Sequence, residues 1–298
     1  MSKLWPPVDV PNTPQTPISF EKLMMLQLGE NADGVIKCGT SRWNVHLSVL
    51  TNRCEWFEQK FFEARSRGSN EVVLSTSPYV AYKIIVWIYT KTLDLHESFR
   101  GDIYAMGDCL FLWDMAYQLA IPELMVACEE KLKGFLRGMV VPIQRMKCKG
   151  ESPTLDAFLI CSCVHYVYEK DYSILKNIFL DFVKDSQLWV LDVPDFQKEM
   201  ATTPEFKKDV ASLVKKSPGL RTFKPDVCGQ CNKDPFADAE FSHYAYTKSK
   251  DGKFTAICFR CHIQNKSRIR TASGAVPEGI AAWLQGVQKE VQSAQKKA

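Results

Sequence analysis

Two Cys-x-x-Cys pairs, Cys228-Gly-Gln-Cys231 and Cys258-Phe-Arg-Cys261, constrain this chain more than any other local feature. Between them Tyr244 and Tyr246 alternate with Ala245 and Thr247, and Phe254, Ala256 and Cys258 alternate on the return. Lys250-Asp251-Gly252-Lys253 supplies the Asp-Gly turn that hairpins favour. Each Cys-x-x-Cys turn offers two sulfurs and the hairpin brings the turns together, which is what a tetrahedral four-thiolate zinc site needs. Four thiolates leave no open position for water, so Cys228, Cys231, Cys258 and Cys261 point to structural rather than catalytic zinc. His243 and His262 lie nearby, but four sulfurs complete the set. A module spanning residues 224–270, with little core of its own, would then depend on the ion for its fold.

The other seven cysteines are Cys38, Cys54, Cys109, Cys128, Cys148, Cys161 and Cys163, mostly in apolar stretches where a thiol acts as a small hydrophobe. The Pro-rich start Met1-Ser-Lys-Leu-Trp-Pro-Pro lacks an apolar signal core, and no apolar run approaches the roughly 20 residues of a bilayer span. An intracellular protein of nucleus or cytoplasm, without disulfides or a membrane segment, is the expectation. From Arg221 onward 13 Lys and Arg face 7 Asp and Glu, whereas the preceding residues carry 25 against 27. A mildly basic tail permits an acidic partner or nucleic acid, and solubility alone explains it as well.

Residues 1–17 hold five prolines and read as a disordered arm. A short helix follows with Phe20, Leu23, Met24 and Leu28 on one face. Gly34 to Cys38 and Trp43 to Val45 read as paired strands across Gly39-Thr40-Ser41, with Glu71-Val-Val-Leu74 as a third. Short helices are expected over His46 to Asn52 and Glu55 to Ala64, and another is capped by Ser77 with Pro78 in its first turn. Helices over Cys109 to Ala120 and Glu123 to Leu136 complete a unit of residues 18–138. Further helical text covers residues 153–216, with Leu155, Phe158, Leu159 and Cys163 as one stripe, Ile174, Ile178, Leu180 and Phe182 as another, and Pro194 and Pro204 as punctuation. Ser217-Pro-Gly-Leu220 reads as a linker, and residues 276–294 as an amphipathic helix presenting Ile280, Trp283, Leu284, Val287 and Val291.

Asp33-Gly-Val-Ile, Val45-His46-x-x-Val-Leu50, Phe57, Val73-Leu74, Ile88-Tyr89-Thr90 and the run from Leu110 through Met115, Ala116, Leu119, Ile121, Leu124 and Cys128 to Leu132 together resemble a BTB/POZ domain. The resemblance implies an α+β fold, mostly helical, in which a small sheet is covered by helical hairpins. Tyr166-x-Tyr168-Glu169 and Pro204-Glu205-Phe206 resemble the helical extension of many fungal BTB proteins, and the cysteine module resembles a zinc ribbon. No Walker or dinucleotide glycine motif and no recognisable nucleophile motif occurs, so an enzyme is not expected. His46 is read as a buried, hydrogen-bonded residue near Asp33.

The resemblance further implies partners. Phe61-Phe62-Glu63 is similar to the hydrophobic-x-Glu element with which BTB adaptors engage a cullin scaffold of a ubiquitin ligase. There Phe61 would fill a pocket on the partner and Glu63 would orient the contact, flanked by Asp108 to Trp113; alternatively Phe57 and Phe61, one helical turn apart, make core. BTB co-repressor pockets pair an Asp with a basic residue; Asp33 matches the first, but Leu47 stands in the basic position and breaks the pocket. The helix over Phe20 to Leu28 would either form a homodimer interface or cover its own sheet. Lys266-Ser-Arg268-Ile-Arg270, with the hairpin aromatics, leaves nucleic acid as a minor alternative to protein clients, in a chromatin- or transcription-associated scaffold.

Overall fold

Gly39 takes a φ of +57° at the point where the chain reverses, and the strands on either side pair from there. In the computed structural model β1 (Gly34–Cys38) runs antiparallel to β2 (Ser41–Val45), Cys38 facing Ser41 and Gly34 facing Val45, and parallel to β3 (Glu71–Val73), in the order β2-β1-β3. The structure describes residues 17–95, 102–148, 150–153, 155–221, 227–233, 244–248, 254–258 and 261. The arm of residues 1–16, the helix expected over 276–294, the basic stretch from Lys266 to Arg270, and His243 and His262 lie outside them.

The described residues form two compact units, one of residues 17–95 and 111–128, the other of 102–110 and 129 onward. In the first, α1 (Pro17–Leu28) packs on α4 (Pro78–Thr90), while α2 (Leu47–Leu50) and α3 (Glu55–Ser66) link β2 to β3. Ile36, Leu50, Phe57, Ile84, Ile85, Ile88 and Tyr89 are wholly buried and make the core. Ser77 caps α4 by accepting from the Val80 amide at 3.2 Å, with Pro78 following where a missing N–H costs nothing. The buried face of α1 is Leu23 and Leu26; Phe20 and Leu28 point outward, so the stripe expected from the sequence is rotated.

Gly34 has a steric reason. A Cβ there would lie 2.6 Å from Leu47 Cδ2 and 3.0 Å from Phe61 Cε1, and both side chains are buried. Gly34→Ala is expected to cost about 1–3 kcal/mol through overpacking, read as a lower urea midpoint at unchanged slope; an unchanged midpoint would refute this contact.

Two helices, α5 (Asp102–Gln118) and α6 (Pro122–Cys148), contribute residues to both units. The second continues through Pro142 and past the boundary expected at residue 138. Proline deprives the carbonyl four residues back, that of Gly138, of its donor and crowds it.

The second unit adds α7 (Ala157–Glu169), α8 (Ser173–Asp185), a 3-10 turn (Trp189–Asp192), α9 (Pro194–Met200) and α10 (Pro204–Lys216), then the hairpin β4 (Tyr244–Lys248) and β5 (Phe254–Cys258). On α8 the buried positions Leu175, Ile178, Phe179, Phe182 and Val183 follow helical spacing. On α7 they are Ala157, Ile160, Cys161, Cys163, Val164, Val167 and Tyr168, so Cys163 of the expected stripe is buried while Phe158 is 70% exposed. That helix is apolar nearly all round, so two stripes are legible and its packing with α8, α9 and α10 selects one. Tyr168 shows why the Tyr-x-Tyr-Glu and Pro-Glu-Phe elements go together: its ring meets Phe206 edge-on at 5.5 Å and its hydroxyl donates to Asp209 at 2.8 Å. Among the described residues no helix is long and apolar enough to cross a membrane, and the ten cysteines whose side chains are described form no disulfide.

Candidate metal centre and docking face

The hairpin pairs Tyr244 with Cys258, Tyr246 with Ala256 and Lys248 with Phe254, so β5 delivers Cys258 at its end. The first knuckle lies flat against that strand. Gly229 donates its N–H to the Ala256 carbonyl at 2.8 Å, and a Cβ on it would sit 2.4 Å from Thr255 Cγ2. Asn232, at a φ of +56°, closes the turn by donating to the Cys228 carbonyl at 2.9 Å, while Cys228 donates to the Lys233 carbonyl at 2.8 Å.

This folding brings the sulfurs of Cys228, Cys231, Cys258 and Cys261 within 4.8 Å of one another. A tetrahedron with metal–sulfur bonds of about 2.3 Å has sulfur–sulfur edges of roughly 3.8 Å; the Cys231 and Cys258 sulfurs stand 3.7 Å apart. Cys228 and Cys261 are buried, and the Cys228 sulfur accepts from the amides of Cys258 at 3.2 Å and Gln230 at 3.4 Å. Burial alone would raise the Cys228 thiol, but the backbone N–H groups of Cys258, Cys231 and Gln230 outweigh it and hold it at about 6. Burial, then the neighbouring sulfurs of Cys258 and Cys231, push Cys261 up to about 12. Each thiolate formed makes the next harder to form, and a divalent cation at the centre is what lets all of them ionise. The four cysteines could therefore hold a metal ion.

The docking face expected on α3 is built differently from its sequence reading. Phe61 is 1% exposed and stacks on Phe57 at 6.4 Å, so its ring is core and does not project toward a partner. Phe57 and Phe61 share the inward face because they are one turn apart. The exposed ring is Phe62, at 75%, and Glu63 beside it forms a surface ion pair with Lys60 at 2.8 Å. Phe61 and Phe62 line a groove of about 360 Å³ together with Asp33, Leu47, Thr51 and Arg65. The sequence carried the signal for Phe62: it follows two aromatic positions at core spacing and falls off their face. Of the flanking residues expected on α5, Phe111 is 49% exposed, while Trp113 is buried and stacks on Tyr117 at 5.6 Å.

His46 is a structural residue. Its amide donates to the Tyr89 hydroxyl at 2.7 Å, its Nδ1 is 3.0 Å from the same oxygen, and its Nε2 is 2.7 Å from the Glu30 carbonyl. The carbonyl can only accept, so Nε2 carries the proton and Tyr89 donates to Nδ1. Burial pushes the Tyr89 phenol up to about 12, which keeps it a donor. Asp33 accepts from the Leu47 amide at 2.8 Å and caps α2. Leu47 itself is buried, and the basic partner of Asp33 is Arg65 of α3 at 3.7 Å. That pair was not legible from the sequence, because the two residues are remote along the chain and only packing joins them.

Residues 23–136 match the family model of the BTB/POZ domain. Among solved structures, the BTB domain of zebrafish PATZ1 is similar at 19% identity, covering 39% of this chain and 88% of that one with a TM-score of 0.31. No curated protein matches the chain. The likeness read between Asp33 and Leu132 is thus a BTB/POZ domain, a module that generally mediates protein–protein interaction rather than catalysis.

Proposed function

We propose that this chain is an adaptor that recruits clients to a cullin-RING ubiquitin ligase, docking through its BTB/POZ face and choosing the client with its C-terminal module. The observation that carries the reading is Phe62, exposed beside Glu63 on a helix whose other phenylalanines are core. An exposed aromatic next to an acidic residue and a groove is the composition of an interface anchor. Phe61, buried, lines the groove instead of reaching into the scaffold. Zinc is the ion best suited to the cysteine cluster, because four thiolates at tetrahedral spacing suit a borderline-soft cation and leave no vacant position for chemistry. Replacing both Phe62 and Glu63 by alanine is expected to weaken binding to the scaffold at least about tenfold; unaltered affinity would remove the adaptor reading.

Phe20, Met25 and Leu28 leave α1 with an outward apolar side while Leu23 and Leu26 hold it to α4, which supports a homodimer through that helix. A second reading, a chromatin- or transcription-associated scaffold, draws on the Asp33–Arg65 pair, which restores an acid–base couple without a basic residue at position 47. Both side chains are more than half exposed, so the pair adds little stability and stays open to a charged partner.

A further inference from the structure

Ser217-Pro-Gly-Leu220 reads as a linker, and such a segment would allow either a loose or a fixed module; here its last residue and the one after it are held down. Leu220 is wholly buried, and its carbonyl accepts from the Gln187 side-chain amide at 3.2 Å. The Arg221 carbonyl accepts from the Trp189 indole N–H at 2.8 Å. The Arg221 guanidinium pairs with Asp192, which also pairs with Lys147 at 2.8 Å. Four contacts of different kinds therefore converge on two consecutive residues.

The receiving turn is shaped for this task. Gln187 and Leu188 both sit at positive φ, +55° and +63°, a conformation that side-chain-bearing residues adopt at a cost and keep only where their surroundings enforce it. Both are buried. The two left-handed residues end α8 abruptly and turn the chain into the 3-10 segment, so that Gln187 and Trp189 present their N–H groups to the linker. Leu220 and Arg221 thus supply carbonyl acceptors to two N–H donors of a buried turn.

We infer that residues 217–221 are a strap, latched on the turn of residues 186–192, which fixes where the cysteine module leaves the helical region. The first metal-binding position, Cys228, follows the latch by seven residues, so a latched strap confines it to within about 24 Å of Arg221 at full extension. Released, the strap adds its own length to that reach. Much of the latch is polar, so a partner that engages Arg221 or Asp192 would open it. The inference is independent of which ion the cysteines hold.

Trypsin tests it, since Lys216 and Arg221 are both cleavable and bracket the strap. Full-length wild type, its Leu220→Ser variant and a synthetic peptide of residues 213–226 are digested in parallel, and cleavage after these residues is timed by mass spectrometry. Cleavage of a native chain follows the population of its open form. The wild type should be cut at least about tenfold more slowly than the peptide, and Leu220→Ser should approach the peptide's rate with its helical circular dichroism intact. Wild-type cleavage at the peptide's rate would overturn the strap, and that comparison holds even where the variant does not fold.

Discussion

Stripping metal from the purified chain is expected to unfold the cysteine module while the BTB/POZ domain stays native. The two strands of the module are five residues each, and an isolated two-stranded hairpin is marginal in water. Structural zinc contributes on the order of 10 kcal/mol or more to the folding of such small units, far above what one short hairpin supplies. The BTB/POZ domain has its own buried core of Ile36, Leu50, Phe57, Ile84 and Ile88. Hydrogen exchange after chelation should therefore rise to unprotected rates over residues 244–258 and remain unchanged over β1 and α4. Cys258→Ser should have the same regional effect without chelator, because it removes one of the four clustered sulfurs. Protection of the hairpin that survives complete metal removal would mean that the cysteines pack as ordinary thiols.

Truncating Phe61 should unfold what truncating Phe62 leaves intact. Removing a fully buried phenylalanine costs about 3–5 kcal/mol, part of it for the cavity left behind. That is a large fraction of the roughly 5–15 kcal/mol that holds a typical domain together. Phe61 stacks on Phe57 and presses on the Gly34 position, so neighbours already in contact have little freedom to fill the space. Phe62 is 75% exposed, and its loss should stay within about 0.5 kcal/mol. Urea denaturation of Phe61→Ala and Phe62→Ala reads the difference directly. Equal midpoints would contradict the inward placement of Phe61. The same contrast explains why Phe62→Ala, and not Phe61→Ala, is the clean probe of partner binding: a binding defect in the second would not be separable from unfolding.

The sequence disclosed most where chemistry leaves few options. Four cysteines at knuckle spacing, a serine before Pro78, and a β-branched third strand each admit one reading, and each is found in the structure. Legibility failed where several registers satisfy the same local rule. The apolar α7 offers two stripes, and its packing against α8, α9 and α10 chooses between them. Phe61-Phe62 offers two candidate anchors, separated by about 100° on a helix, and the spacing from Phe57 chooses the buried one. Helix continuation through Pro142 was hidden for a different reason: proline usually ends a helix, and no local pattern marks this one as an exception. The Arg65–Asp33 pair and the Leu220 latch depend on contacts between remote residues, which no local pattern encodes.

The adaptor proposal stands most directly on one titration: the purified full chain against the N-terminal domain of a cullin scaffold, followed by calorimetry, with wild type and Phe62→Ala/Glu63→Ala side by side. The proposal predicts saturable binding by the wild type in the micromolar range or tighter, and a loss of at least about 1.4 kcal/mol in the double variant, a tenfold change in dissociation constant. No heat from the wild type, or the same affinity in both chains, would contradict it.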